Sequence, residues 1–284
     1  MQEILKEIIQ NSRESIPSGT VTRSLPIHLI PGKASICIGV RRCGKTTKLF
    51  QIMQEYLEKG VPAENLVHIN FFDDRLHALD ASTLYLIPDT YFSLYPDKRN
   101  REQVCFFFDE IQVVAGWESF VERMLRTEKC DIYITGSSAQ MLSREIATRM
   151  RGRSLSWELF PFSFSEYAAF LGQEVRPNPS TRERTTLQNI FQRYWAEGGF
   201  PETAGLTNDL RIKIHQEYFH AILFRDLIER HDIPHPRALM DLAWRLIDNC
   251  ASLYSINALT NHLKSLGHKV PKASVSDYLA WFED

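Results

Sequence analysis

The chain has 284 residues, enough for one large domain or two to three smaller ones with a substantial core. Apolar residues make up 44% and charged residues 24%, a balance that excludes an intrinsically disordered or collagen-like chain. The net charge of −2 provides no global field toward nucleic acid or an anionic membrane, so any such contact would have to be local.

The amino terminus, MQEILKEIIQNSRES, mixes charge with apolar residues and has no continuous apolar run of signal-peptide type. No stretch approaches the ~20 apolar residues of a membrane span. Cysteines at 37, 43, 105, 130 and 250 are odd in number, widely spaced and without a C-x-x-C pair. Reduced thiols and a cytoplasmic location are expected. Cys37 and Cys105 read as small core residues, while Cys43 could be reactive.

Residues 2–12 read as a short amphipathic helix, and residues 20–33 lead into a strand, Ala34-Ser35-Ile36-Cys37-Ile38. Gly39-Val40-Arg41-Arg42-Cys43-Gly44-Lys45-Thr46 follows and fits G-x-x-x-x-G-K-[ST] at every fixed position. In this motif glycines let backbone N–H groups turn inward around phosphate oxygens. Lys45 is expected to reach the β- and γ-phosphates, and the Thr46 hydroxyl to ligate Mg²⁺. The expected nucleotide contacts are Gly39, Arg41, Arg42, Cys43, Gly44, Lys45, Thr46 and Thr47. From Thr46 to Lys59 the apolar positions Leu49, Phe50, Met53, Tyr56 and Leu57 recur at helical spacing, and Gly60 ends the helix.

Leu66 to Phe72 reads as a second strand, and residues 75–98 as partly helical. Val104 to Phe108 is an uninterrupted apolar run, as in a strand buried on both faces, and it ends in Asp109-Glu110. This is the Walker B pattern. Asp109 is the expected Mg²⁺ holder, and Glu110 the general base that polarises the attacking water. Trp117, Phe120, Val121, Met124 and Leu125 form another helical stripe. Asp131 to Thr135 reads as a strand, with Thr135 expected to sense the γ-phosphate and Ser137 and Ser138 behind it. Arg144, Arg149, Arg151 and Arg153 precede a fifth strand at Ser154 to Leu159. Arg153 is the expected cation on the transition state, from its own or a neighbouring subunit.

Gln173 to Arg184 is polar with two prolines and reads as a linker. Residues 185–196, 208–232 and 236–252 are helical by periodicity. Ser255 to Gly267 and Lys272 to Phe282 have helix-turn-helix proportions. The expected division is an N-terminal helix over 1–20, a core over 21–172, a linker over 173–186, a helical region over 187–234 and a helix-turn-helix or winged-helix-like segment over 235–284.

Together these motifs resemble the prokaryotic AAA-type (AAA/STAND-like) ATP-binding proteins that carry a C-terminal domain of unknown function. The matching residues are GVRRCGKTT (39–47), FFFDEIQ (106–112), ITGSSAQML (134–142), RGRSLSWELFPFSFSEY (151–167) and GGFPE (198–202). The resemblance implies an α/β, AAA-like P-loop NTPase core whose parallel sheet is flanked by helices. It also implies ATP with Mg²⁺ and a helical region ending in a winged-helix-like helix-turn-helix. Gly198-Gly199-Phe200-Pro201 then looks like a lid-side motif. Members usually continue for about another hundred residues, so this chain is expected to be shortened relative to them.

The expected function is Mg-ATP hydrolysis driving a conformational switch on a partner, with a homo-oligomer as one expected assembly and no membrane contact. The alternatives are a P-loop kinase and an ATP-dependent DNA-binding regulator. The latter rests on Lys264, His268, Lys269 and Lys272 near the last turn. No N-K-x-D guanine-reading motif occurs. His231, Asp232 and His235 read as a polar loop, leaving Mg²⁺ as the expected metal.

Overall fold

The computed structural model describes residues 1–12, 16, 17, 19–136 and 148–283, except the side chains of residues 225 and 226. The chain divides into two compact units, Met1–Leu206 and Thr207–Asp284.

In the first unit five strands form one sheet: β1 (Ala34–Ile38), β2 (Leu66–Asn70), β3 (Val104–Asp109), β4 (Cys130–Gly136) and β5 (Ser154–Glu158). Their order is β2-β3-β4-β1-β5, and every pairing is parallel. The helices are α1 (Gln2–Asn11), α2 (Lys45–Glu58), α3 (Leu86–Leu94), α4 (Trp117–Thr127), α5 (Phe164–Phe170) and α6 (Thr181–Glu197).

The two-residue period of a strand explains the layering. On β3, Val104, Phe106 and Phe108 join the core that contains Leu5 and Ile9 of α1, Ile87 and Tyr91 of α3, and Phe120 and Val121 of α4. The intervening Cys105 and Phe107 join Leu49, Ile52 and Met53 of α2 on the opposite face. Phe107 stacks on Tyr133 with ring centroids 5.0 Å apart. Each such fully buried large side chain contributes about 1.5–3 kcal/mol.

Boundaries depart from the sequence reading where a side chain captures a backbone group. β2 stops at Asn70 rather than Phe72, because the Asn70 side-chain oxygen accepts the Phe72 N–H at 2.9 Å and turns the chain. α6 begins inside the polar stretch 173–186. Ser180 and Glu183 form a capping box that satisfies its first amides. Ser163 and Glu166 do the same for α5.

The second unit contains α7 (Asn208–Ala221) running into a π-helix (Ile222–Glu229), then α8 (Pro236–Asp248), α9 (Ile256–Ser265) and α10 (Lys272–Glu283). Its core gathers Leu223, Leu239, Leu242, Leu263, Val275 and Tyr278. Gly267, at φ 88°, makes the turn between α9 and α10. Among the described residues this unit holds helices and no strand. No described helix is long and apolar enough to cross a membrane.

Candidate phosphate-binding site

The carboxyl edge of the sheet brings the site residues together through register alone. Asn70 pairs with Asp109, Phe108 with Ile134, and Cys37 with Thr135. Because β4 lies between β3 and β1, Thr135 stands between the Asp109 strand and the strand that opens the glycine loop. The cleft at this edge has a volume of about 530 Å³. Arg41, Arg42 and Gly44 to Thr47 line one side, Asn70, Phe72, Asp109 and Glu110 another, and Pro201 and Glu202 complete it.

The loop takes its shape from its glycines. Gly39 sits at φ 150°, and a side chain there would overlap the Leu159 carbonyl oxygen. Gly44 adopts φ 102° immediately before α2, and Arg42 adopts φ 66°. α2 therefore starts with its positive end toward the cleft, the standard provision for an anion. Lys45 is buried, and its Nζ donates to the Gly39 and Val40 carbonyls at 3.0 and 3.2 Å. It also lies 3.8 Å from Glu110 Oε1.

Asp109 is almost wholly enclosed, at 2% exposure. Thr46 Oγ1 donates to its Oδ2 at 2.8 Å, and Thr135 Oγ1 donates to its Oδ1. Thr46 and Asp109 thus present a hydroxyl and a carboxylate at one point, a hard oxygen pair suited to Mg²⁺ that keeps its remaining places for water and phosphate. Glu110 has φ 58°, an uncommon conformation for a residue other than glycine. Its N–H donates to Thr135 Oγ1 at 3.1 Å, and Gln112 Nε2 donates to its Oε2 at 2.5 Å.

Three expected roles change on this geometry. Thr135 is brought to the site, but it is fully buried and its hydroxyl is engaged behind Asp109 and Glu110 rather than facing the cleft. Cys43 contributes backbone only. Its thiol packs with Cys37 and Leu159, and burial raises the pKa of both thiols, Cys37 to about 12, which disfavours the nucleophilic thiolate. Arg153 is not brought into the site. It precedes β5 at the amino edge of the sheet, roughly 16 Å from the cleft by the rise of a five-residue strand. It pairs with Glu122 at 3.8 Å, and Arg149 pairs with Glu118 at 3.3 Å. Ser137, Ser138 and Arg144 lie outside the described residues.

Other residues make contacts that the sequence did not assign. Gln112 orients Glu110, and Asn70 flanks Asp109. His68, buried on β2, has its Nε2 3.9 Å from Asp109 Oδ2, and burial lowers its pKa. Arg42 pairs with Glu202 of the GGFPE turn at 3.3 Å. Arg23 reaches the loop from the segment before β1. The Arg23 signal was legible only as a charged residue in a lead-in segment; nothing in its spacing connects it to Cys43.

Residues 31–168 match the family model described as an AAA domain, and residues 188–284 match a domain of unknown function (DUF8612). An uncharacterised protein of Methanocaldococcus jannaschii is 36% identical over 98% of this chain and 60% of its own length. An uncharacterised protein of Haemophilus influenzae is 28% identical over 87% and 59%. The chain thus matches about three fifths of the length of these curated relatives. Among solved structures, the Aeropyrum pernix ORC2 protein (ADPNP–ADP complexes) aligns with 99% of this chain and 83% of its own at 14% identity, with a TM-score of 0.45. AMPPCP-bound DnaA from Aquifex aeolicus aligns with 99% and 86% at 13% identity, with a TM-score of 0.39. With its parallel sheet, glycine loop and acidic strand end in register, the chain carries an AAA domain over residues 31–168, followed by a DUF8612 domain over residues 188–284.

Proposed function

We propose that this chain binds ATP with Mg²⁺ and hydrolyses it, and that the change of occupancy acts as a switch on a partner. One observation carries the reading. Asp109 is held between Thr46 and Thr135, and Glu110, the next residue, is clamped at both its N–H and its carboxylate beside the phosphate loop.

In this reading the inward amides of the loop take the β- and γ-phosphates. Lys45 exchanges its two carbonyl partners for phosphate oxygens. Thr46 and Asp109 would hold Mg²⁺, which would supply charge neutralisation at the phosphates. Glu110 accepts a proton from water as its oxygen bonds to the γ-phosphorus and the bond to the bridging oxygen breaks. The products are ADP and inorganic phosphate. An acid-base group in this position is worth about 10²–10⁴-fold in rate. Arg153, remote from its own cleft, fits the cation role only if supplied by a neighbouring copy, so the reading includes a homo-oligomer in the active state.

The test is steady-state hydrolysis and equilibrium binding of MgATP. Glu110→Gln should bind normally and lose turnover by at least a hundredfold, and Lys45→Ala should lose binding. A wild-type chain that binds MgATP and never releases phosphate, alone or at concentrations that favour self-association, overturns the hydrolase assignment.

A second reading, contact with DNA, draws on Lys264, Lys269 and Lys272, all exposed around the α9–α10 turn. His268 is excluded from that set because it pairs with Asp241 at 2.5 Å. Phosphate contacts by three lysines would give a log–log salt slope of about −2.7. Salt-independent or absent binding rejects this reading.

A further inference from the structure

The segment before β1 carries one arginine that no motif accounts for. Arg23 is 4% exposed, yet its guanidinium meets three separate parts of the chain. Nη1 donates to the Cys43 carbonyl at 2.5 Å, and Nη2 to the Phe160 carbonyl at 2.5 Å. Nε donates to Glu166 Oε1 at 3.1 Å. The guanidinium carbon also lies 5.1 Å from the centroid of the Phe162 ring. A Cβ on Gly44 would stand 2.9 Å from Nη1 and press on the guanidinium, at a φ of 102° that L side chains rarely adopt.

The bond to Cys43 has a geometric consequence. In a trans peptide the carbonyl and the following N–H point in opposite directions. Drawing the Cys43 carbonyl toward Arg23 therefore aims the Gly44 N–H the other way. Gly44 lines the phosphate cleft, and its amide is one of the donors a phosphate loop must present inward. A peptide flip at this point, otherwise easy beside a glycine, would turn a carbonyl oxygen toward the anion.

We infer that Arg23 is a positioning residue for phosphate binding: it fixes the Cys43–Gly44 peptide with the Gly44 amide facing the phosphate hollow. The inference rests on the proposed nucleotide reading of the cleft. The second arm extends the effect. Phe160 and Phe162 form the segment that Arg23 anchors, and the Phe162 N–H donates to the Gly199 carbonyl at 2.6 Å. The turn that starts there ends at Glu202, which pairs with Arg42 in the loop. The loop is thus gripped at adjacent residues, Cys43 through Arg23 and Arg42 through Glu202. Lysine cannot replace the arginine, because one ammonium lacks the planar fork that serves two carbonyls and a carboxylate together.

The experiment compares wild type, Arg23→Lys and Met124→Ala, the last a core truncation in α4 away from the cleft. MgATP and inorganic tripolyphosphate affinities are measured alongside thermal unfolding, and the Gly44 amide resonance is followed during titration. Arg23→Lys should weaken both ligands at least tenfold and abolish the Gly44 shift. Met124→Ala should lower the unfolding temperature and bind as wild type. Equal affinities for wild type and Arg23→Lys overturn the inference while leaving the nucleotide reading intact. Equal loss of affinity in Met124→Ala also overturns it, by reducing the effect to general stability. If Arg23→Lys does not fold, the wild-type titration decides: a Gly44 amide that does not move as ligand saturates overturns the assignment. A wild type that binds neither ligand removes the nucleotide reading itself.

Discussion

The Thr135 hydroxyl serves two neighbours at once, giving its hydrogen to Asp109 and accepting the Glu110 N–H. Thr135→Val keeps the shape and removes both bonds, leaving a buried carboxylate and amide short of partners. A loss of about 1–3 kcal/mol in denaturant stability is expected, together with slower turnover. Gln112→Ala tests a subtler dependence. It frees the Glu110 carboxylate without touching the loop, so turnover should fall roughly ten- to a hundredfold while MgATP affinity stays within twofold. Glu166 gives a pH prediction. Burial alone would raise its pKa, but the hydrogen bond from Arg23 and the N–H groups of Ser163 and Ser24 outweigh it and hold the group at about 2, below its ordinary 4.5. A lowered carboxylate stabilises the fold above its unfolded pKa, and that contribution is lost as pH falls from about 4.5 toward 2. Denaturant midpoints of wild type and Glu166→Gln should differ at pH 7 and converge on acidification. A gap as large at pH 3 as at pH 7, or larger, contradicts this account.

At the scale of elements, Gly39→Ala would drive a methyl group into the Leu159 carbonyl and fix alanine at a φ it rarely adopts. A clear fall in unfolding temperature with loss of nucleotide binding is expected. A protein that binds MgATP normally would show the loop to be more adaptable than this geometry allows. β1 and β3 were legible because each is an apolar run ended by chemistry: Ile38 before Gly39, Phe108 before Asp109. β1 and β5 also pair residue for residue as their lengths suggest. The capping boxes at Ser163 and Ser180 were written in the sequence as S-x-x-E, the second inside a polar stretch that resembled a loop. The places of Arg153 and Thr135 were not legible. Distance along the chain does not say which edge of a sheet a residue occupies, nor whether a hydroxyl faces the cleft or the acid behind it. Arg23 was hidden for the same reason, since its partners Cys43, Phe160 and Glu166 are joined only by tertiary packing.

At the scale of the whole molecule, the second unit has its own buried core, in which Leu239 and Leu242 are fully enclosed. Residues 207–284 expressed alone should melt cooperatively by circular dichroism, and Leu242→Ala should cost that fragment about 2–5 kcal/mol. A non-cooperative melt would show that this core depends on the rest of the chain.

The strand order carries a last consequence, in the timing of synthesis. β4 separates the two strands that bear the phosphate loop and Asp109, and residues 130–136 emerge after both. β1 and β3 cannot become neighbours of β4 until that segment has been inserted between them, so the pairing that completes the cleft is long-range and slow to form. On the ribosome, ATP would find no finished pocket on a nascent chain that had not reached residue 136. A ligand that binds only the completed sheet draws the folding equilibrium toward it, by about 2.7 kcal/mol at a hundredfold excess over its dissociation constant. On the proposed nucleotide reading, ATP would thereby favour a correctly threaded sheet.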